Sequence, residues 1–239
     1  MTELLYQTDS YLKEFDATVL SVLQEERAVI LDRTAFYPGG GGQPSDFGFL
    51  SVGGITYPVV KVKKQGDDIL HCLGAEDPLP ILGCASHGTL DWARRYSLMR
   101  THTALHVLCG TVFRDYGALV TGGDMEPLKG RMDFEFSNMR GELVREIEAE
   151  VNEEITKGRE IQVKILPREE AFQIPDLIRT KINLLPEGIM QVRTVEIVGL
   201  DLQADGGTHV RNTSEVGSIR VADYKSKGAV NKRIYIEVV

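Results

Sequence analysis

At 239 residues, 42% of them hydrophobic, the chain is long enough for one large domain or two modest ones, with a real buried core. A net charge of −8 at neutral pH excludes a protein that coats nucleic acid through bulk electrostatics, so any RNA partner has to be met locally. The three cysteines, Cys72, Cys84 and Cys109, lack CxxC spacing, which argues against a disulfide framework or a cysteine zinc cage and for a reducing, cytoplasmic setting.

The first twenty residues contain neither a basic opening nor a long apolar run, and no stretch of about 18 apolar residues follows, so neither export nor membrane insertion is expected. Short runs rich in Val, Leu and Ile at Thr18–Leu23, Ala28–Leu31, Pro58–Lys63 and Ile69–Leu73, separated by Gly, Asp and Pro, predict a small all-β module, a barrel or similar. Residues 74–90 hold prolines and glycines, which places a domain boundary near 88–92.

From Trp92 to Tyr116 the period becomes helical, with Leu98, Leu105, Cys109 and Val112 on a buried face and Gly117 ending the run. Arg131–Phe136 alternates like a strand. Leu143, Ile147, Val151 and Ile155 then mark a second amphipathic helix, with Ser137 or Asn138 as N-cap and Gly158 beyond its end. Strand-like runs return at Ile161–Leu166, Met190–Val198, Val216–Val221 and Arg233–Val239. Without a regular βαβ rhythm, this second domain is expected to be α+β.

The sharpest chemical signal is Arg100-Thr-His-Thr-Ala-Leu-His106, which sets His102 and His106 one helical turn apart on one face, where both imidazoles can reach one metal. Zinc peptidases carry a glutamate directly after the first histidine; here that position is Thr103, so a peptidase base is missing. About a hundred residues on, Asp205-Gly-Gly-Thr-His209 adds a carboxylate and a third imidazole, so three of the five histidines lie in these two clusters. A catalytic zinc takes about four N, S or O ligands, one position often being water, and His102, His106, His209 and Asp205 meet that need. The bland alternative is a turn at Asp205-Gly206-Gly207, its glycines at positive φ, with His209 opening a strand.

A third segment, Tyr37-Pro38-Gly39-Gly40-Gly41-Gly42-Gln43-Pro44-Ser45-Asp46, offers backbone amides at Gly40, Gly41 and Gly42 and the side chain of Gln43 to a ligand. It is not a phosphate loop, because no lysine followed by Ser or Thr closes it and no helical pattern follows, so no use of ATP is expected. Lys225, Lys227, Lys232 and Arg233 concentrate positive charge near the end of the chain, as either a transfer-RNA contact or a solvated loop.

Taken together, the three segments resemble the editing domain of alanyl-tRNA synthetases and the free-standing AlaX-type alanyl-tRNA editing proteins. In that family the second cluster reads Cys-x-Gly-Thr-His, then Thr-Gly-Glu-Ile-Gly; here it stands as Asp205-Gly-Gly-Thr-His209, then Thr213-Ser-Glu-Val-Gly217. The glycine loop and Leu166-Pro-Arg-Glu-Glu-Ala171 also match, and the likeness covers roughly residues 30–235. The resemblance implies a β-barrel domain over residues 1–90 and a zinc-binding α+β editing domain over 91–239. It implies one zinc ion per chain and, as activity, hydrolysis of alanine transfer RNA mischarged with serine or glycine. Thr121, in Ala118-Leu-Val-Thr-Gly122, matches a family threonine that contacts the serine hydroxyl, and Gln43 is expected to position substrate or water. The departure is Asp205 where the family carries cysteine: a harder oxygen ligand, which leaves the fourth metal position between Asp205 and water. Two other functions fit the same residues, a zinc hydrolase of small esters or amides and a non-catalytic RNA-binding module with a structural metal.

Overall fold

In the computed structural model, which describes residues 2–74, 78–175, 177 and 188–239, the chain divides by its contacts into two units, Met1–Tyr96 and Ser97–Val239. In the first, β1 (Glu3–Leu4) precedes a 3-10 turn at Leu5–Gln7 and is followed by β2 (Glu14–Leu23), β3 (Ala28–Leu31), β4 (Arg33–Thr34), β5 (Gly48–Val52), β6 (Ile55–Gln65), β7 (Asp68–Leu73) and β8 (Ala85–Leu90). β1 pairs in parallel with β4, and the others close a barrel in the order β2-β3-β7-β6-β5-β8. Closure removes the free edges, and alternation fills the interior: Phe15, Ala17 and Val19 of β2, Leu50 and Val52 of β5 and Tyr57, Val59 and Val62 of β6 all turn inward. The four predicted runs fall within β2, β3, β6 and β7. The short β5, which opens on Gly48, and β8, which Gly88 interrupts, lie outside the predicted runs.

α1 (Trp92–Tyr116) starts where the Asp91 carboxylate accepts the Arg94 N–H at 3.1 Å, and ends where the Gly117 N–H reaches the Phe113 carbonyl at a φ of +64°. The expected boundary at 88–92 lies at the entry to this helix, and the chain's own contacts divide it after Tyr96, with Arg95 bonded to the Ser10 and Ala35 carbonyls of the first unit. The predicted single buried face is too narrow: every residue from Thr101 to Val112 is buried, so the helix runs through the interior and its polar side chains need internal partners. Thr101 meets that need by donating to the Ser97 carbonyl at 2.8 Å and accepting the Leu128 N–H at 2.9 Å.

Around α1 the second unit adds β9 (Val120–Glu126), β10 (Lys129–Glu135), α2 (Gly141–Thr156), β11 (Ile161–Pro167), α3 (Arg168–Ala171), β12 (Gln191–Ile197), β13 (Asp201–Ala204), β14 (Ile219–Ser226) and β15 (Asn231–Val238). They form one sheet in the order β14-β15-β10-β9 and another in the order β11-β12-β13. This is the α+β architecture expected. Three details differ. α2 is preceded by Arg140 in extended conformation without a side-chain cap, rather than by Ser137 or Asn138, and its stripe is Val144, Ile147, Val151 and Ile155, with Leu143 only half-buried. The run 216–221 splits into a 3-10 turn, Thr213–Val216, capped by Asn212, and β14. Among the described residues no helix is long and apolar enough to cross a membrane.

Candidate metal centre

The centre is built where α1 faces β13 and the segment after it. One helical turn separates His102 from His106, and both imidazoles face His209: ring centroids lie 4.2 Å apart for His102 and His209, 4.9 Å for His102 and His106, and 4.7 Å for His106 and His209. Asp205 closes the group, its Oδ2 at 3.0 Å from His209 Nε2 and its Oδ1 at 3.6 Å from His102 Nε2. All four residues offer ligand atoms within 4.8 Å of one another. The turn reading of this segment is corrected: Gly206 and Gly207 do not take positive φ, and His209 lies outside any strand. The backbone instead wraps around Asp205, whose Oδ2 accepts the Gly207 N–H at 2.8 Å.

Charge at His102, His209 and Asp205 is arranged as a cation site requires. Burial keeps His102 well below its usual pKa and lowers His209 to about 4, so both imidazoles are neutral near pH 7 and keep a lone pair. Burial alone would raise the pKa of Asp205, but the three histidines reverse this and hold it ionised, well below the usual carboxylate range. Burial also pushes His106 down, against the Asp201 and Asp205 carboxylates, which win and raise it. Zinc bonds of about 2.0–2.2 Å set tetrahedral ligand atoms roughly 3.4 Å apart, a spacing bracketed by the 3.0 and 3.6 Å separations around Asp205. Three imidazoles and one carboxylate thus fit a divalent metal. Thr103, where a peptidase would carry its base, instead faces His209 Nδ1 with its hydroxyl at 3.1 Å and accepts the Val210 N–H at 3.3 Å. Arg193 flanks the site, donating to the Asp205 carbonyl at 2.9 Å.

The family model described as threonyl and alanyl tRNA synthetase second additional domain matches residues 192–235, and a model of class II (A) tRNA synthetases matches 8–94. Along its whole length the chain is 43% identical to the alanyl-tRNA editing protein AlaX-M of Saccharolobus solfataricus, 99% of which it covers. The chain belongs to the AlaX-M family of alanyl-tRNA editing proteins. A second AlaX-M protein, from Methanosarcina acetivorans, is 38% identical with both chains fully covered. The alanine–tRNA ligase of Ignicoccus hospitalis is 40% identical over 92% of this chain, which matches 24% of that longer protein. As an AlaX-M protein the chain is an enzyme of the deacylating, hydrolytic class.

The other predicted site residues fall in separate places. In the first unit, Gly39, Gly40, Gly41 and Gly42 all take positive φ, and Gly40 and Gln43 exchange backbone hydrogen bonds at 3.0 and 2.9 Å across a tight Gly41-Gly42 turn. The Gly40 amide is therefore spent on the turn, and Gln43 is buried. The loop is tied down by Asp46, which accepts the Tyr37 N–H at 2.6 Å and pairs with the fully buried Arg95.

In the second unit, Thr121 is the extra residue of a β-bulge, since Phe134 pairs with Val120 but Asp133 with Gly122. Its exposed hydroxyl donates to Asn231 Oδ1 at 3.1 Å. The basic residues divide. Lys232 is buried and donates to Ser226 Oγ and the Gly228 and Ala229 carbonyls, closing the β14–β15 hairpin, while Arg233 is bound to Asp133 at 2.6 and 2.7 Å. Lys225 and Lys227 remain exposed, Lys225 beside Asp223 at 3.1 Å.

Proposed function

We propose that this AlaX-M protein hydrolyses the ester joining serine, and also glycine, to the terminal ribose of alanine transfer RNA, with one zinc ion held by His102, His106, His209 and Asp205. The observation that carries this reading is the buried cluster of three imidazoles and an ionised carboxylate, in a chain with full-length AlaX-M likeness. In the reaction a water oxygen adds to the ester carbonyl carbon and the bond to the ribose oxygen breaks, giving free amino acid and uncharged transfer RNA. A divalent ion in such a site supplies Lewis acidity toward the carbonyl or a bound water.

The chain's own residues supply the selection. The Thr121 hydroxyl, displaced from strand register by the bulge, is assigned to the serine hydroxyl; exchanging Asn231 for the ligand keeps its hydrogen bond count constant. Gln43 and the loop Gly40–Gly42 are assigned to substrate positioning. That role is supported by the anchoring of the loop through Asp46 and Arg95. Lys225 and Lys227 are assigned to the transfer-RNA backbone, with Lys232 and Arg233 shaping the hairpin that presents them. The cytoplasm, where transfer RNA is charged, is the compartment this function requires.

The test is seryl-ester hydrolysis by wild type, by His102→Ala and by chelator-treated protein. Loss in both altered samples, with recovery of the chelated one on zinc addition, supports the reading, and undiminished hydrolysis after chelation removes the metal from it.

A further inference from the structure

Asp201 has no role in the ligand set above, yet it is aimed at that set. It begins β13, and the period of two along that strand puts Asp201 and Gln203 on the side facing α1, with Asp205 in the segment just past the strand's end. Each meets a different turn of the helix: Asp205 lies beside His102, Gln203 Nε2 donates to Cys109 Sγ at 3.3 Å, and Asp201 Oδ2 sits 3.6 Å from His106 Nδ1. Gln203 also donates to Asp201 Oδ2 at 2.5 Å, which orients the carboxylate. The approach depends on a missing side chain. At Gly110, four residues past His106, a Cβ would lie 2.8 Å from Asp201 Cβ and 3.1 Å from Leu200 Cγ.

A carboxylate whose side chain is fully shielded from water is costly unless it faces donors, and the nitrogen it faces here, His106 Nδ1, is a buried polar atom with no other hydrogen-bond partner. We infer that Asp201 is a positioning residue of the metal centre: it holds the Nδ1 proton of His106, fixes the ring's tautomer and rotation, and so leaves Nε2 with its lone pair toward His102, Asp205 and His209. The inference rests on the metal-centre reading. It gives two of the three histidines different supports, a carboxylate for His106 and the Thr103 hydroxyl for His209.

The experiment begins with the metal-free full chain at pH 8, using two-bond proton–nitrogen correlations of the histidine rings, with the His106 signals assigned by their loss in His106→Gln. His106 is expected as the Nδ1–H tautomer, and an Nε2–H tautomer overturns the inference. Titration with Zn2+ against a competing chelator then compares wild type with the isosteric Asp201→Asn. Affinity should fall about 10- to 100-fold, while the same change in a His106→Ala background should alter it less than about twofold. An Asp201→Asn protein that binds Zn2+ within about twofold of wild type, or an equal loss in both backgrounds, overturns it. Should Asp201→Asn not fold, the wild-type tautomer decides. Because the tautomer is read without metal or substrate, failure of seryl-ester hydrolysis would sink the proposed function and leave this result standing.

Discussion

The glycine loop depends on one buried ion pair, and removing half of that pair has a calculable consequence. Arg95 is fully buried and donates through Nε to both oxygens of Asp46, at 3.1 and 3.0 Å, through Nη1 to the Ser10 carbonyl at 2.9 Å and through Nη2 to the Ala35 carbonyl at 2.5 Å. Arg95→Met keeps most of the volume but strands a carboxylate that is 1% exposed. Breaking a buried pair from one side costs about 3–5 kcal/mol, because the remaining charge keeps its desolvation penalty and loses its compensation. Asp46→Asn added to Arg95→Met removes that charge while retaining an acceptor for the Tyr37 N–H, so the double variant should be the more stable by about 2 kcal/mol. Trp92, the single tryptophan, lies in the same unit, stacked on Tyr96 with centroids 5.7 Å apart, and its fluorescence during urea unfolding reports on this unit. At a slope of about 2 kcal/mol per molar urea, Arg95→Met should lower the midpoint by about 2 M. A loss below about 1 kcal/mol, or a double variant no better than the sum of the single ones, refutes the argument.

Other consequences follow from single residues. His71, buried between Thr34 Oγ1 at 2.8 Å and the Val29 carbonyl at 3.2 Å, has its pKa lowered by burial to about 4. The unfolded chain takes up this proton first, so the stabilisation is complete above pH 6.5 and is lost as pH falls toward 4, by about 3 kcal/mol; urea unfolding of His71→Gln should show a correspondingly shallower acid dependence, and an unchanged slope contradicts it. Thr121→Val should reduce seryl-ester hydrolysis far more than glycyl-ester hydrolysis, because only serine offers a hydroxyl to the lost donor; equal losses remove the assignment. Gly110→Ala should destabilise the protein by about 1–3 kcal/mol and weaken Zn2+ binding together, since the new methyl meets Asp201; tight Zn2+ binding in a destabilised Gly110→Ala protein would uncouple the two.

Much of this was legible in the sequence wherever one physical signal dominated. α1 has the predicted ends, because Gly117 and the polar residue before Trp92 are local stop and start signals, and β3 is a pure apolar run. β5, β8 and β9 carry Gly48, Gly88, Gly122 and Gly123, and their strand character comes from neighbours in the sheet rather than from their own side chains. In the candidate metal centre the histidine spacing marks His102 and His106, and the second cluster marks Asp205 and His209. Asp201 carries no signal of its own in the sequence, opening a four-residue strand that ends just before Asp205, and Thr103 reads there only as an absent glutamate. Lys232 illustrates the opposite limit: charge counting marks a basic cluster, but only the fold shows this ammonium turned inward to three oxygen acceptors.

The central claim is hydrolysis of mischarged alanine transfer RNA at the His102, His106, His209 and Asp205 site. Its most direct test is the rate at which wild type and His102→Ala deacylate seryl-, glycyl- and alanyl-esters of alanine transfer RNA. Rapid loss of the seryl ester, and of the glycyl ester, with the alanyl ester spared and with His102→Ala inactive, is the predicted result. Cleavage of the alanyl ester alone, or of none of the three, would contradict it.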